Sequence, residues 1–155
     1  MEVFNLVDGE LEAREPSHRR PGYHTRRRRL GPMLGARALG ATVYELDPGQ
    51  RIWPYHWELG NEEWLLVLAG EPTLREADGE RTLRPGDLVC FREGPGGAHQ
   101  VRNDRAEVVR VAMLSTQRGP YVAFYPDSRK LAVGGVGTDV MVRAEPELDY
   151  WDGEP

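Results

Sequence analysis

The feature that most constrains this chain is the spacing of its turn signals. Between Thr42 and Thr116 the short apolar runs TVYEL, WLLVLAG, PTLREA, RTL, DLVCF, HQVRN and EVVRVAML alternate with DPG, DG, PGD and GPGG. Turns at intervals of roughly 8 to 12 residues leave room for strands but not for helices of ordinary length, and predict an all-β sandwich or barrel. Asp78-Gly79 is a two-residue hairpin signal, because both central residues of such a turn must accept positive φ. Pro85-Gly86-Asp87 then turns the chain into DLVCF.

No internal repeat or low-complexity linker divides the chain. Residues 1–155 are expected to form one domain, with an N-terminal arm over 1–38, a barrel core over 42–116 and a C-terminal extension over 117–155, the arm and extension packing outside the barrel. The arm is polar, and Pro16, Pro21 and Pro32 interrupt any helical period. The extension holds YVAFYPDS, a glycine-rich LAVGGVGTD and the acidic EPELDYWDGEP, and is expected to fold back along the barrel.

Composition narrows the function classes. At 155 residues the chain can bury a core without disulfides, and Cys90, the only cysteine, excludes an intramolecular bridge and a thiolate zinc cluster. A cytoplasmic setting is expected. The first residues carry acids early and show no secretory signal, and WLLVLAG is far shorter than the roughly 20 residues of a membrane helix. With a net charge of −5 there is no global attraction to nucleic acid or an anionic membrane. The run TRRRRL could grip phosphate, but is expected to be a solvated arm whose arginines meet the acidic tail or a partner surface.

Strand alternation sorts the remaining residues. On EVVRVAML it places Val109, Val111 and Met113 inward and Arg110 outward. Cys90 is expected as a small core residue. His18 and His24 fall in the polar arm and are expected to be exposed. Trp53, Tyr55, Trp57 and Trp64 suit a core or an interface, or could stack on a ligand.

The stretch PYHWELGNEEW, from Pro54 to Trp64, concentrates the chemistry. His56 and Glu58 share a strand face, while Tyr55 and Trp57 share the other. If Leu59 to Glu62 form the turn of a hairpin, Glu63 opens the next strand beside His56 and Glu58, on the face of Leu65, Val67 and Ala69. His99, after GPGGAH, starts a later strand with Val101 on its inward face. Imidazole nitrogen with carboxylate oxygen suits zinc, iron, manganese, nickel or copper. Two carboxylates buried in a barrel would otherwise cost several kcal/mol or take up a proton. The plainer reading is a charged, solvated hairpin end.

These residues resemble the cupin superfamily, small β-barrels with a first motif of roughly G-x5-H-x-H-x3,4-E-x6-G and a second of roughly G-x5-P-x-G-x2-H-x3-N. Gly49, His56, Glu63 and Gly70 meet the first, and Gly86, Gly94, His99 and Asn103 the second; GNEEW, PGD, GAHQVRN and YPDS are similar to uncharacterised bacterial single-domain cupins. Six residues rather than five separate Gly49 from His56, Arg92 replaces the proline, and four residues rather than two precede His99. Glu58 occupies the second histidine position.

The resemblance implies an antiparallel jelly-roll barrel, or double-stranded β-helix, with a metal on His56, Glu63 and His99, and on Glu58 by position. Edge strands in such barrels make a homodimer expected. A two-His, two-carboxylate set neutralises a divalent ion and shifts preference toward manganese or iron(II), with zinc and nickel still open. Dioxygenase, isomerase or decarboxylase chemistry on an oxygen-rich small molecule would follow. The alternative is a non-catalytic module that binds a small molecule or protein without a metal, and whether the chain is an enzyme stays open.

Overall fold

The computed structural model describes residues 1–13, 20–135, 137, 139–144 and 146–154. His18 lies outside the described residues. The strands are β1 (Glu12–Ala13), β2 (Arg26–Arg29), β3 (Leu39–Leu46), β4 (Trp57–Leu59), β5 (Glu63–Ala69), β6 (Thr73–Glu76), β7 (Gly79–Thr82), β8 (Leu88–Phe91), β9 (Gln100–Arg102), β10 (Val109–Thr116), β11 (Tyr121–Tyr125), β12 (Lys130–Gly134) and β13 (Val140–Arg143). They pair antiparallel in sheets of order β1-β2-β3-β10-β5-β8, β13-β12-β11-β4 and β7-β6-β9. The result is an all-β jelly roll.

Two clusters hold it together. Tyr44 and Leu46 from β3, Leu65 and Val67 from β5, and Val109, Val111 and Met113 from β10 pack against Leu74 of β6 and Val101 of β9. This inner core therefore joins the six-stranded sheet to the three-stranded one. The opposite faces of β3, β5 and β10 present Val43, Leu66, Leu68 and Ala112, which are covered by Leu30 and Met33 of a short helix and by Phe4, Leu6 and Leu11 of the arm. A sheet buried on both faces reads as continuous apolar runs, and WLLVLAG is such a run.

The arm differs from the expectation. TRRRRL is not loose: Arg26–Arg29 is β2, paired with β3, and Leu30–Leu34 follows as helix α1. Pro32 sits in the first turn of this helix, where a missing N–H breaks no intrahelical bond. The arginines meet Glu12, Glu45 and Asp47 rather than the acidic tail. Arg110 does point away from the inner core, yet only 7% of it is exposed. The arm closes over it, so its guanidinium donates to Glu45 Oε1 at 2.7 Å and to the Leu6 and Gly9 carbonyls at 2.8 and 2.6 Å.

Three other expectations are corrected. Cys90 is exposed, because β8 turns Val89 and Phe91 toward the core and Cys90 the other way. In the β6–β7 hairpin Glu76 faces Gly79, so Ala77-Asp78 form the two-residue loop and the positive φ, 136°, falls on Gly79 alone. The C-terminal segment does not lie outside the barrel; β11, β12 and β13 make up the sheet that β4 completes. Among the described residues no helix is long and apolar enough to cross a membrane.

Candidate metal centre

His56 and His99 face each other across a two-way backbone bridge, in which His99 N–H donates to the His56 carbonyl at 2.8 Å and His56 N–H to the His99 carbonyl at 3.2 Å. His56 immediately precedes β4 and His99 precedes β9, so the bridge is the seam between the four-stranded and three-stranded sheets. Each imidazole is then oriented from its own backbone. His56 Nδ1 lies 2.9 Å from the Pro54 carbonyl and His99 Nδ1 2.9 Å from the Gly97 carbonyl. A carbonyl only accepts, so Nδ1 carries the hydrogen in both rings and Nε2 keeps its lone pair. Phe91 stacks on His99 at 3.6 Å and Tyr125 on His56 at 5.6 Å between ring centroids, fixing both planes.

The two extra residues of the second motif have a structural use. Pro95–Gly97 form a 3-10 turn, and Gly94 N–H donates to the Glu58 carbonyl at 2.7 Å. A Cβ at Gly97 would collide with the Arg92 carbonyl oxygen, so only glycine can place the carbonyl that orients His99. Asn103, the end of the same motif, is a fastener rather than a ligand. It is fully buried, and its amide donates to the Leu46 and Glu107 carbonyls at 2.9 and 2.7 Å.

Glu63 arrives by a different route from the one expected. β4 and β5 do not pair as a hairpin: β4 pairs with β11, and β5 with β10 and β8. The LGNE connection is a corner between two sheets, and it still delivers the carboxylate. Glu63 Oε2 lies 3.5 Å from His99 Nε2 and 4.0 Å from His56 Nε2. His56, Glu63 and His99 form a group that could hold a metal ion, with one donor atom from each all within 4.8 Å of one another. Glu58 stands beside this group. Its Oε1 is 3.9 Å from His56 Nε2, and its Oε2 accepts from the Asn61 amide at 3.0 Å. His24, as expected of the arm, is exposed and apart from these residues.

The electrostatics record what this packing costs. Burial, reinforced by the neighbouring Glu58 carboxylate, pushes the Glu63 carboxyl up to about 8. Burial also raises Glu58, against the opposing Asn61 hydrogen bond. Burial and then His56 pull His99 down to about 3, and burial lowers His56 against the Pro54 carbonyl. At neutral pH the approaches of Glu63 to His56 and His99 are therefore contacts of an uncharged carboxyl with imidazoles that burial holds toward their neutral form, rather than ion pairs. His99 Nε2 is buried without a hydrogen-bond partner. A basic lone pair, left unsatisfied and aimed at a carboxyl group, fits a divalent cation, which would draw both imidazoles and the ionised carboxylate at once.

The group opens onto a cavity of about 540 Å³ between the six-stranded and four-stranded sheets. Its walls include Tyr44, Trp53 and Met113 from one side and Tyr121, Tyr125 and Met141 from the other. Sequence patterning gave no role to Tyr121 or Tyr125, which come from the C-terminal segment. Their alternation with the buried Ala123 was visible only as an aromatic strand.

Residues 42–115 match the family described as Cupin_2, a cupin domain. No curated protein matches the chain. Among solved structures the chain is similar to a protein from Acidithiobacillus ferrooxidans whose assignment as a sugar phosphate isomerase is provisional, at 27% identity, a TM-score of 0.76 and coverage of 83% of this chain and 82% of that one. It is also similar to a sugar phosphate isomerase of the cupin superfamily from Silicibacter pomeroyi, at 24% identity, TM-score 0.74 and coverage of 77% and 76%. A polyketide cyclase from Streptomyces resistomycificus shares the fold at 24% identity, TM-score 0.61 and coverage of 78% and 83%. The matched model identifies residues 42–115 as a cupin domain, and the chain shares the fold of these proteins.

Proposed function

We propose that the protein is a divalent-metal cupin acting on an oxygen-rich small molecule in the 540 Å³ cavity. His56, Glu63 and His99 are the core ligands, and Glu58 completes the set. The observation that carries this reading is the convergence of two Nε2 lone pairs and a carboxylate within 4.8 Å, each imidazole held by a carbonyl at Nδ1. Such outer partners fix the tautomer and raise ligand basicity.

A bound divalent ion would supply Lewis acidity toward a carbonyl or hydroxyl oxygen. The chain's own contribution is positional. Phe91 and Tyr125 hold the imidazole planes, the inner core keeps bulk water from the rear of the site, and Asn61 holds the Glu58 carboxylate at the cavity wall. Isomerase-type chemistry is favoured by the similarity to the Acidithiobacillus ferrooxidans protein, which covers most of both chains.

Calorimetric titration of chelator-stripped protein with manganese(II), iron(II), nickel(II) and zinc(II) tests the metal centre. One site per chain for at least one ion, lost in His99→Ala, is expected. Equal binding by the parent and His99→Ala would place the metal elsewhere and overturn the reading.

A further inference from the structure

The four consecutive arginines of β2 do two different things, because successive side chains of a strand point to opposite faces. Arg26 and Arg28 lie on the outer face. Arg26 is paired with Glu45 and Asp47, and Arg28 with Glu12. Arg27 and Arg29 lie on the inner face: Arg27 is opposite Tyr44 in the β2–β3 register, and Arg29, opposite Thr42, lines the cavity with it. Helix α1 then ends at Gly35, with φ of 74°, and the returning chain brings Arg37 to the same wall.

Arg29 and Arg37 are the cationic residues of this cavity, facing a wall that also carries Glu58, Glu63 and Asp139. Both are exposed, and among the described residues neither has a carboxylate partner. The pattern differs from Arg26, Arg28, Arg75, Arg81, Arg102 and Arg110, each of which is paired with an acid. Unpaired guanidinium forks at a concave wall suit a planar or tetrahedral oxyanion, which they can bind through two parallel N–H donors.

We propose that Arg29 and Arg37 bind the anionic end of the cavity's ligand, and that the ligand is a polyhydroxylated compound bearing a phosphate or carboxylate group. Its oxygen-rich carbon chain then runs toward His56 and Glu63. The inference rests on the proposed reading for the identity of the cavity as a ligand site, and its test lets the two fail separately.

The probes are glucose 6-phosphate, glucuronate and glucose, titrated into the protein as purified, with metal content measured on the same samples. The two anions are expected to bind and glucose to bind at least about tenfold more weakly, the loss expected when charge-assisted hydrogen bonds go unmade. Arg29→Gln and Arg37→Gln should each weaken the preferred anion about tenfold with metal content unchanged. Arg28→Gln, on the outer face, removes the same charge and should leave affinity unchanged. Preference for glucose 6-phosphate or for glucuronate tells phosphate from carboxylate. Equal weakening by Arg28→Gln and Arg29→Gln would show nonspecific electrostatics and overturn the proposal. So would anion affinity lost in His99→Ala but kept in both arginine variants, or no binding of either anion at millimolar concentration. Arginine-dependent anion binding in a protein without metal would instead overturn the metal reading alone.

Discussion

Two clusters of ionisable groups in this molecule are built on opposite terms. On the outer face of the six-stranded sheet, Arg110 and Arg26 flank Glu45, with N–O distances of 2.7 and 2.9 Å, and the arm's carbonyls take up further guanidinium hydrogens. Burial alone would raise Glu45, but the hydrogen bonds from Arg26 and Arg110 hold it below the ordinary carboxylate range. At the seam of the two other sheets, His56, Glu58, Glu63 and His99 are gathered with no cation among them, and each is pushed toward its uncharged form. The first cluster closes on itself. The second has no such counter-charge among the described residues.

The largest expected effect falls on the self-contained cluster. Arg110→Ala leaves two arm carbonyls without their donor and takes from Glu45 one of its two arginines, and with hydrogen bonds of this kind worth about 1–3 kcal/mol each, a loss of about 3 kcal/mol or more is expected. Denaturant unfolding should show that loss, whereas Glu63→Gln in metal-free protein should melt close to the parent, since an amide of the same shape replaces a carboxyl that burial already holds uncharged. A similar loss in both would erase the contrast. Next in size is the response to metal. At a hundredfold excess over its dissociation constant, a divalent ion should stabilise the parent by about 2.7 kcal/mol and leave His99→Ala unmoved.

A smaller effect is the pH response of metal-free protein. Glu63 titrates at about 8 folded against 4.5 as a free carboxyl, so the folded state holds the extra proton between those values. A raised carboxyl contributes stability that is present below the unfolded value and is lost as pH rises through the folded one. His56 and His99, which burial lowers, act in the opposite sense as pH rises through 6.5 and are neutral in both states well above it, so between about pH 7.5 and 9 metal-free protein should lose on the order of 1 kcal/mol as pH rises. Saturating metal should abolish that slope. Denaturant midpoints at several pH values check it, and a flat metal-free profile would mean that Glu63 is not desolvated. The smallest effect is on the cavity wall, where Arg29→Gln should change stability by less than about 0.5 kcal/mol in the same unfolding assay.

The comparison also shows what could be read before the structure was known. Turn spacing predicted the strands, and alternation predicted the inward faces of β5 and β10, because those depend on neighbours in sequence. Alternation states which face a residue takes, not what lies over that face. Arg110 was rightly placed off the inner core, but the arm that buries it comes from a hundred residues away in the chain. Cys90 failed for the converse reason, since its side of β8 is exposed.

At the site, His56, Glu63 and His99 were legible as a motif, while the mechanism that gathers them was not. A hairpin was the local explanation for Glu63, and the fold uses a corner between sheets. The His56–His99 bridge, the Tyr125 stack and the inner-face role of Arg29 each join segments distant in sequence, and no local pattern encodes such pairings.

The most direct test of the central claim is elemental analysis of the protein purified without an affinity tag or chelator, beside its His99→Ala variant. Close to one equivalent of a divalent transition metal in the parent and almost none in the variant is the predicted result. A parent that holds no metal, even after reconstitution with manganese, iron, nickel and zinc, would contradict it.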